Sequence, residues 1–419
     1  MKGTDMKEDT SSMQAADWSC YTSEPAESLA LFEAARARCP VARSEGHDGF
    51  HMLLDYKDVR KAMADHRTFS SEPQVLRPML PRKPIPALEM DPPRHSAWRA
   101  IFNAAVTPVT PAAMEPFVRA DVRRHLARIA PSGGCDIVAE LCEPVPAETI
   151  CHLVGVEEER VPAIREAALA MFAAQGDPEE FARRQADFGM FAAQGDPEEF
   201  ARRQADFGAV TVSEVHARRE SPRDDFLSSL ADMTIEGRAL DDEDYVVLLA
   251  AFLGAGHHST TSALASMIYE IFSGPERRDC LIAEPELIPV AVEEALRLHP
   301  PFFGFFRRTK AEVEVAGVTI PEGQDVYMGW AAANRDPTMF DEPACFRLDR
   351  ESNRHMSFGF GIHNCPGSNL ARMEMRVVLE ELLATFPDLA IDGGVPAYRF
   401  GGGDYCFLPE LRVAWRALA

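Results

Sequence analysis

The chain has 419 residues, of which 43 are Lys or Arg and 66 are Asp or Glu, giving a formal net charge of −23. Its 46% hydrophobic and 26% charged residues make a globular balance rather than a disordered one. A surface this acidic argues against a partner whose phosphates need neutralising, whether nucleic acid or an anionic membrane. No apolar run approaches the roughly 18 residues of a membrane span, and Met1–Cys20 lacks the apolar core of a secretory signal. The nine cysteines are scattered and contain no C-x-x-C pair, which disfavours a disulfide framework or a cysteine zinc site. A reducing, cytoplasmic setting follows.

Residues 1–17 are polar and expected to be disordered, leaving 18–419 as one domain. Between Glu24 and Arg38, Leu29, Leu31, Phe32 and Ala35 recur at helical spacing. Gly49–Tyr56 reads as a strand leading into a helix. The stretch 69–93 holds Pro73, Pro78, Pro81, Pro84, Pro86, Pro92 and Pro93, so a long constrained loop is expected there. From Arg94 to about Leu298 the pattern is helical, with breaks at 108–111, 131–134 and 221–222. Within it, residues 171–189 recur unchanged as 190–208. Identity this complete marks a tandem duplication rather than a drifted solenoid. Each copy carries Gly-Asp-Pro, a natural break before a helix that begins at Pro-Glu-Glu.

Further on, Asp241–Asp244 places negative charge at the start of a long apolar helix, where the helix dipole favours it. Val313–Val315 and Val318–Ile320, around Ala316–Gly317, predict a β-hairpin. A last helix is expected over Ser368–Thr385, stopped by Pro387. The predicted class is mainly α, with small sheets near both ends.

The chemistry concentrates in residues 358–367, Phe-Gly-Phe-Gly-Ile-His-Asn-Cys-Pro-Gly. Cys365 sits in a glycine-rich loop just before a helix. Glycine allows close backbone approach to a flat ligand, and a helix N-terminus biases a cysteine toward thiolate. A thiolate so held suits a haem iron. The segment resembles the haem-binding loop of the cytochrome P-450 superfamily, F-x-x-G-x-[H/R]-x-C-x-G. Phe358, Gly361, His363, Cys365 and Gly367 fill every fixed position.

Other matches in the family's order extend the resemblance over nearly the whole chain. Glu294-Ala-Leu-Arg297 is similar to its E-x-x-R, whose two charges share a helix face and pair structurally; Arg354 is a candidate third member. The resemblance implies a P-450 fold with a long central helix over haem b. It makes Cys365 the metal ligand and His95, Arg99, Arg307 and His363 contacts of the haem propionates; His355 is structural. Ala255-Gly-His-His-Ser259-Thr260 resembles the family's [A/G]-G-x-[D/E]-T. Gly256 and Ala255 would then keep a groove open for dioxygen. His258 and Ser259 replace the acid and threonine that deliver protons, with Thr260 as a second hydroxyl. A histidine that titrates near neutrality can relay protons.

Phe302, Phe303, Phe305 and Phe306 lie where the family has a substrate loop and are read as a pocket wall. They imply a small to medium apolar substrate, aromatic or terpenoid. Arg77, Arg82 and Lys83 are read as solvated charges that can also hold a substrate carboxylate. No flavin or nicotinamide fingerprint is present, so the resemblance implies an iron–sulfur ferredoxin and its NAD(P)H-dependent reductase. Arg372, Arg376, Arg123 and Arg124 form a candidate basic patch for it. The implied activity is hydroxylation or O-dealkylation by a haem-thiolate monooxygenase using dioxygen. Peroxide-driven oxygenation and a haem-based sensor are the alternatives.

Overall fold

The computed structural model describes residues 18, 23–77, 79, 83–106, 111–162, 197–401 and 404–417. The expected disorder of 1–17, Arg82, and the duplicated region up to residue 196 lie outside the described residues.

Twelve α-helices are described: α1 (Pro25–Arg38), α2 (Tyr56–Ala64), α3 (Arg94–Val106), α4 (Pro111–Ile129), α5 (Pro144–Val154), α6 (Pro197–Glu220), α7 (Phe226–Ala231), α8 (Asp242–Phe272), α9 (Pro275–Ala283), α10 (Ile288–Leu298), α11 (Trp330–Ala333) and α12 (Ser368–Thr385). The second copy of the repeat opens α6 at Pro197, the predicted start after Gly-Asp-Pro. The last helix spans the predicted Ser368–Thr385.

Helix α8 organises the molecule. Its 31 residues run about 46 Å at a rise of about 1.5 Å per residue. Asp241 accepts from the Asp244 amide and Asp244 accepts from the Asp241 amide, both at 3.0 Å, closing a capping box at the predicted acidic start. Tyr245, Leu248, Phe252, Leu264 and Ile268 bury several faces of it in the main core. A helix apolar nearly all round must be wrapped by others, and α5, α6, α10 and α12 do this.

Sheet takes up the periphery. β1 (Val41–Ser44), β2 (Phe50–Leu53), β3 (Phe69–Ser70), β7 (Phe305–Thr309) and β10 (Asp325–Met328) form one sheet in the order β1-β2-β10-β7-β3. β4 (Gly134–Asp136) pairs with the chain end in a second sheet. The hairpin β8–β9 (Val313–Val315, Val318–Ile320) is as predicted, with Ala316 and Gly317 both at positive φ in its turn. A second hairpin, β5–β6 (Thr234–Ile235, Arg238–Ala239), interrupts the run expected to be helical. Its turn is Glu236-Gly237, again with both φ positive.

The Glu294–Arg297 pair of α10 is fully buried, with both guanidinium-to-carboxylate bonds at 2.7–2.8 Å. Arg297 also donates to the carbonyls of Asn334, Pro343 and Cys345. The third partner is Arg350, 3.0 Å from Glu294, with Asn353 and the Arg347 amide alongside. Arg354 does not complete the network: its side chain is exposed and only its carbonyl is used, by Tyr56. The whole strap 334–353 is thereby tied to α10, just before the cysteine loop.

Candidate functional site

The loop 358–365 is built by its own backbone. The Cys365 amide donates to the Phe358 carbonyl at 2.7 Å, and the Gly359 amide to Met356 at 2.8 Å. Gly361 has φ +74, and a Cβ there would stand 2.7 Å from the Met63 carbonyl of α2. Both conformation and space therefore require glycine. A Cβ on Gly367 would lie 4.0 Å from the Cys365 sulfur. The Arg372 guanidinium lies 4.5 Å over the Phe358 ring and bonds Glu293, which His355 also contacts at 3.1 Å. His355 is thus structural, as expected.

Burial pushes the Cys365 thiol up, against the Gly367 amide, Arg99, Arg372 and the Ser368 amide, all of which favour the anion. The expected thiolate bias from the helix N-terminus is present but does not outweigh desolvation. A cation bonded to sulfur would reverse this balance.

Above the loop lies a group of buried donors. Arg307, 4% exposed, donates from Nη1 to the Phe306 carbonyl. Burial lowers its pKa to about 10, with Asp91 as the one opposing charge. His95 and His363 stand 4.5 Å apart between ring centroids. His95 Nε2 is buried without a partner among the described residues, and His363 Nε2 meets Ser71 Oγ at 2.9 Å. Burial, helped by Arg307 and His95, drives His363 down to about 3. Positive and donor groups gathered around a single carboxylate, Asp91, suit a ligand that brings further carboxylates. Arg99 is committed elsewhere in this structure: it donates to the carbonyls of Ile362 and Asn364, holding the cysteine loop itself.

A second candidate wall is the middle of α8. Val247, Ala251, Ala255 and Ser259 are spaced by four residues and share a face. None is fully buried, and Ala255 is exposed in mid-helix, so this face borders open space. Val247 and Ala251 escaped the sequence reading, although their small-residue spacing from Ala255 was visible. At Gly256 a Cβ would meet the Ile150 side chain at 2.8 Å, so the missing side chain also lets α5 pack on α8.

The Ser259 hydroxyl lies on this partly open face and donates to the Ala255 carbonyl at 2.7 Å. Thr260 is buried, 4% exposed, and lies off that face. Burial lowers His258 to about 4, so it is neutral at physiological pH and does not titrate there as expected. Its carbonyl accepts from the Tyr405 hydroxyl at 2.7 Å.

The four phenylalanines divide. Phe303 and Phe306 belong to a separate aromatic core with Trp18, Phe32 and Phe50; Phe306 lies 4.9 Å from Phe50 and Phe303 5.0 Å from Phe400. Strand alternation turns Phe305 to the face of β7 that carries Arg307. Phe302 and Phe305 are only partly buried, with rings 5.2 Å apart. They remain as wall candidates; Phe303 and Phe306 are core.

The expected basic patch is neutralised. Arg372 pairs with Glu293, Arg376 with Glu115 and Glu380, Arg123 with Glu381, and Arg124 with Asp121 and Glu148. Arg77 is no solvated charge either: it is 4% exposed and bonded to Asp325 at 2.6 Å. Lys83 is exposed and paired with Glu243.

Residues 44–396 match the family model described as Cytochrome P450. The erythromycin C-12 hydroxylase of Saccharopolyspora erythraea is 35% identical over 82% of this chain and 84% of its own length. The vitamin D(3) 25-hydroxylase of Pseudonocardia autotrophica is 32% identical over 87% of each chain. The crystal structure of CYP109E1 from Bacillus megaterium with testosterone superposes with a TM-score of 0.79 at 26% identity, over 93% of this chain and 99% of that one.

Proposed function

The chain belongs to the cytochrome P450 family and is a monooxygenase that uses haem b, and we propose that it hydroxylates or O-dealkylates a small to medium apolar substrate, aromatic or terpenoid. The observation that carries this is the apolar strip Val247, Ala251 and Ala255, which borders open space with the Ser259 hydroxyl at its end. Phe302 and Phe305 extend the apolar lining. Relatives named for erythromycin and vitamin D(3), and a neighbour solved with testosterone, agree with a carbon-rich substrate.

In this reading Cys365 is the thiolate ligand of the haem iron. The haem, when bound, supplies dioxygen activation and oxygen-atom transfer. Phe358, Gly361 and Gly367 shape the loop around the sulfur. Arg307, His95 and His363 receive the propionates, which would satisfy the unpartnered His95 Nε2 and the buried Arg307 charge. Arg99 joins them or steadies the loop through Ile362 and Asn364.

The Ser259 hydroxyl holds the proton to be delivered and must give up its bond to Ala255 to do so. Ala255, with its single methyl, leaves room beside it. His258, kept neutral, accepts a proton poorly and orients the helix backbone through Tyr405.

Two electrons come from an iron–sulfur ferredoxin and its NAD(P)H-dependent reductase. Exposed Lys57, Arg60 and Lys61 of α2, with Arg67 after it, make a better docking surface than the neutralised arginines of α4 and α12. The Met63 carbonyl of the same helix abuts Gly361 of the cysteine loop. The eight cysteines among the described residues are free, which suits a reducing, cytoplasmic setting.

Titrating the holoenzyme with aromatic and terpenoid compounds tests the substrate class through the Soret shift. Saturable shifts with these and not with polar analogues are expected; the reverse preference overturns it. Turnover with ferredoxin, reductase and NAD(P)H tests the electron route. Product formed with hydrogen peroxide alone would establish the peroxide-driven alternative instead.

A further inference from the structure

A second polar cluster lies between α4, α5 and α12, outside the residues assigned to haem. His125 Nε2 lies 3.4 Å from Glu148 Oε1 and 3.8 Å from Asp121 Oδ1. One ligand atom from each of the three residues lies within 4.8 Å of the other two. Zinc bonds nitrogen and oxygen at about 2.0–2.2 Å, so the edge of its tetrahedron is about 3.4 Å. The two separations from His125, 3.4 and 3.8 Å, are close to that edge.

Asp121 and His125 are buried and Glu148 partly so. Asp121 is 5% exposed, and its Oδ2 has no hydrogen-bond partner among the described residues. Glu374, 2% exposed on α12, likewise has an unpartnered Oε1; burial and the like charge of Asp121 push its carboxyl well up. Two carboxylates as close as those of Asp121 and Glu148 need a proton or a cation between them.

Two guanidiniums flank the ring, Arg124 at 3.4 Å from Nε2 and Arg128 at 3.4 Å from Nδ1, both long for hydrogen bonds. Arg128 is engaged by Glu140. Arg124 bridges Asp121 and Glu148, yet its side chain is 55% exposed, so it can swing into solvent when a stronger cation arrives.

We propose that Asp121, His125 and Glu148 form a three-ligand site for a tetrahedral divalent cation of the zinc type, with Arg124 as a displaceable stand-in. Two carboxylates and an imidazole match the hard and borderline donors that zinc accepts, and they leave a fourth position for water. Bound there, the ion ties α4 to α5 on the side of α12, the helix that continues from the cysteine loop. Its role is structural.

The test uses haem-loaded full-length protein, stripped with chelator and dialysed against zinc sulfate, with magnesium sulfate as the contrast. One zinc per haem is expected, and no stoichiometric magnesium. His125→Ala and Glu148→Gln should each abolish that zinc while the Soret spectrum stays intact. Arg124→Gln should keep it and tighten binding by more than about tenfold. Absence of stoichiometric zinc in the parent overturns the site. So does zinc that persists in both ligand variants, as it would if exposed Cys345 were the binder. If one ligand variant fails to hold haem, the other decides.

Discussion

The cysteine loop and the middle of α8, the two parts of the proposed site, are specified in different ways. In the loop the backbone carries the geometry: the Cys365 amide bonds Phe358, and Gly361 has both a left-handed φ and a carbonyl 2.7 Å from where its Cβ would be. In α8 every residue is helical, and function depends on which face each side chain takes. A motif in the first kind of region transfers its geometry with its letters. A motif in the second transfers only spacing, and neighbouring helices decide what that spacing looks toward. Gly256 shows the consequence: its letter matches a groove, but its missing side chain also serves Ile150 of α5.

The largest effect expected from breaking this contrast is at Cys365. Cys365→Ser removes the sulfur and leaves the loop's backbone bonds in place. The protein should keep its fold by far-UV circular dichroism yet lose the red-shifted Soret band with carbon monoxide, and lose turnover. A retained band would remove Cys365 as the ligand. Next comes the brace behind the loop. Arg297→Leu strands Glu294 with part of its partners in a fully buried setting, which costs about 3–5 kcal/mol. A lower midpoint in urea and faster haem loss should report it. An unchanged midpoint would mean that Arg350 and Asn353 satisfy Glu294 alone.

The phenylalanines sharpen the contrast within one short segment. Phe306→Ala empties a site in the aromatic core beside Phe50 and Tyr327 and should cost about 3–5 kcal/mol of stability. Phe305→Ala, one residue away on the other face of β7, should cost less and instead alter substrate-induced Soret shifts or product distribution. Equal stability losses with unchanged binding would place all four rings in the core.

These differences mark what was legible in the sequence. Local chemistry was: the Asp241–Asp244 cap, the Ala316–Gly317 turn, the Ser368–Thr385 helix and the Glu294–Arg297 pair each depend on residues near one another in the chain. Facing was not. Phe303 and Phe306 go to a core assembled with Trp18, Phe32 and Phe50, hundreds of positions away, and no local pattern names those partners. The missed β5–β6 hairpin was legible in principle, since Glu236-Gly237 is a two-residue turn signal. The arginines of α4 and α12 make no basic patch because Glu115 of α4, Glu380 and Glu381 of α12 and Glu293 of α10 pair with them across the helix contacts, which spacing along one helix does not show. Arg354 lost its place to Arg350 for the same reason: both lie in one loop, and only three-dimensional closure on Glu294 separates them.

The finest test separates the two residues that stand where the family has an acid and a threonine. Ser259→Ala removes a hydroxyl on the open face of α8 and should raise the hydrogen peroxide released per electron pair, with no change in Soret spectrum. Unchanged coupling would take Ser259 out of proton delivery. His258→Gln should leave coupling at neutral pH nearly unaltered, because burial already holds the imidazole uncharged. Its effect belongs to acid stability. The unfolded chain takes up a proton at this histidine below about pH 6.5, whereas the folded chain refuses it until about pH 4. The folded state therefore loses stability as pH falls through that window and keeps it above. Thermal midpoints of the parent should drop across this interval more steeply than those of His258→Gln. Parallel slopes, together with a coupling defect at neutral pH, would instead make His258 the proton donor and leave Ser259 as the residue that orients it.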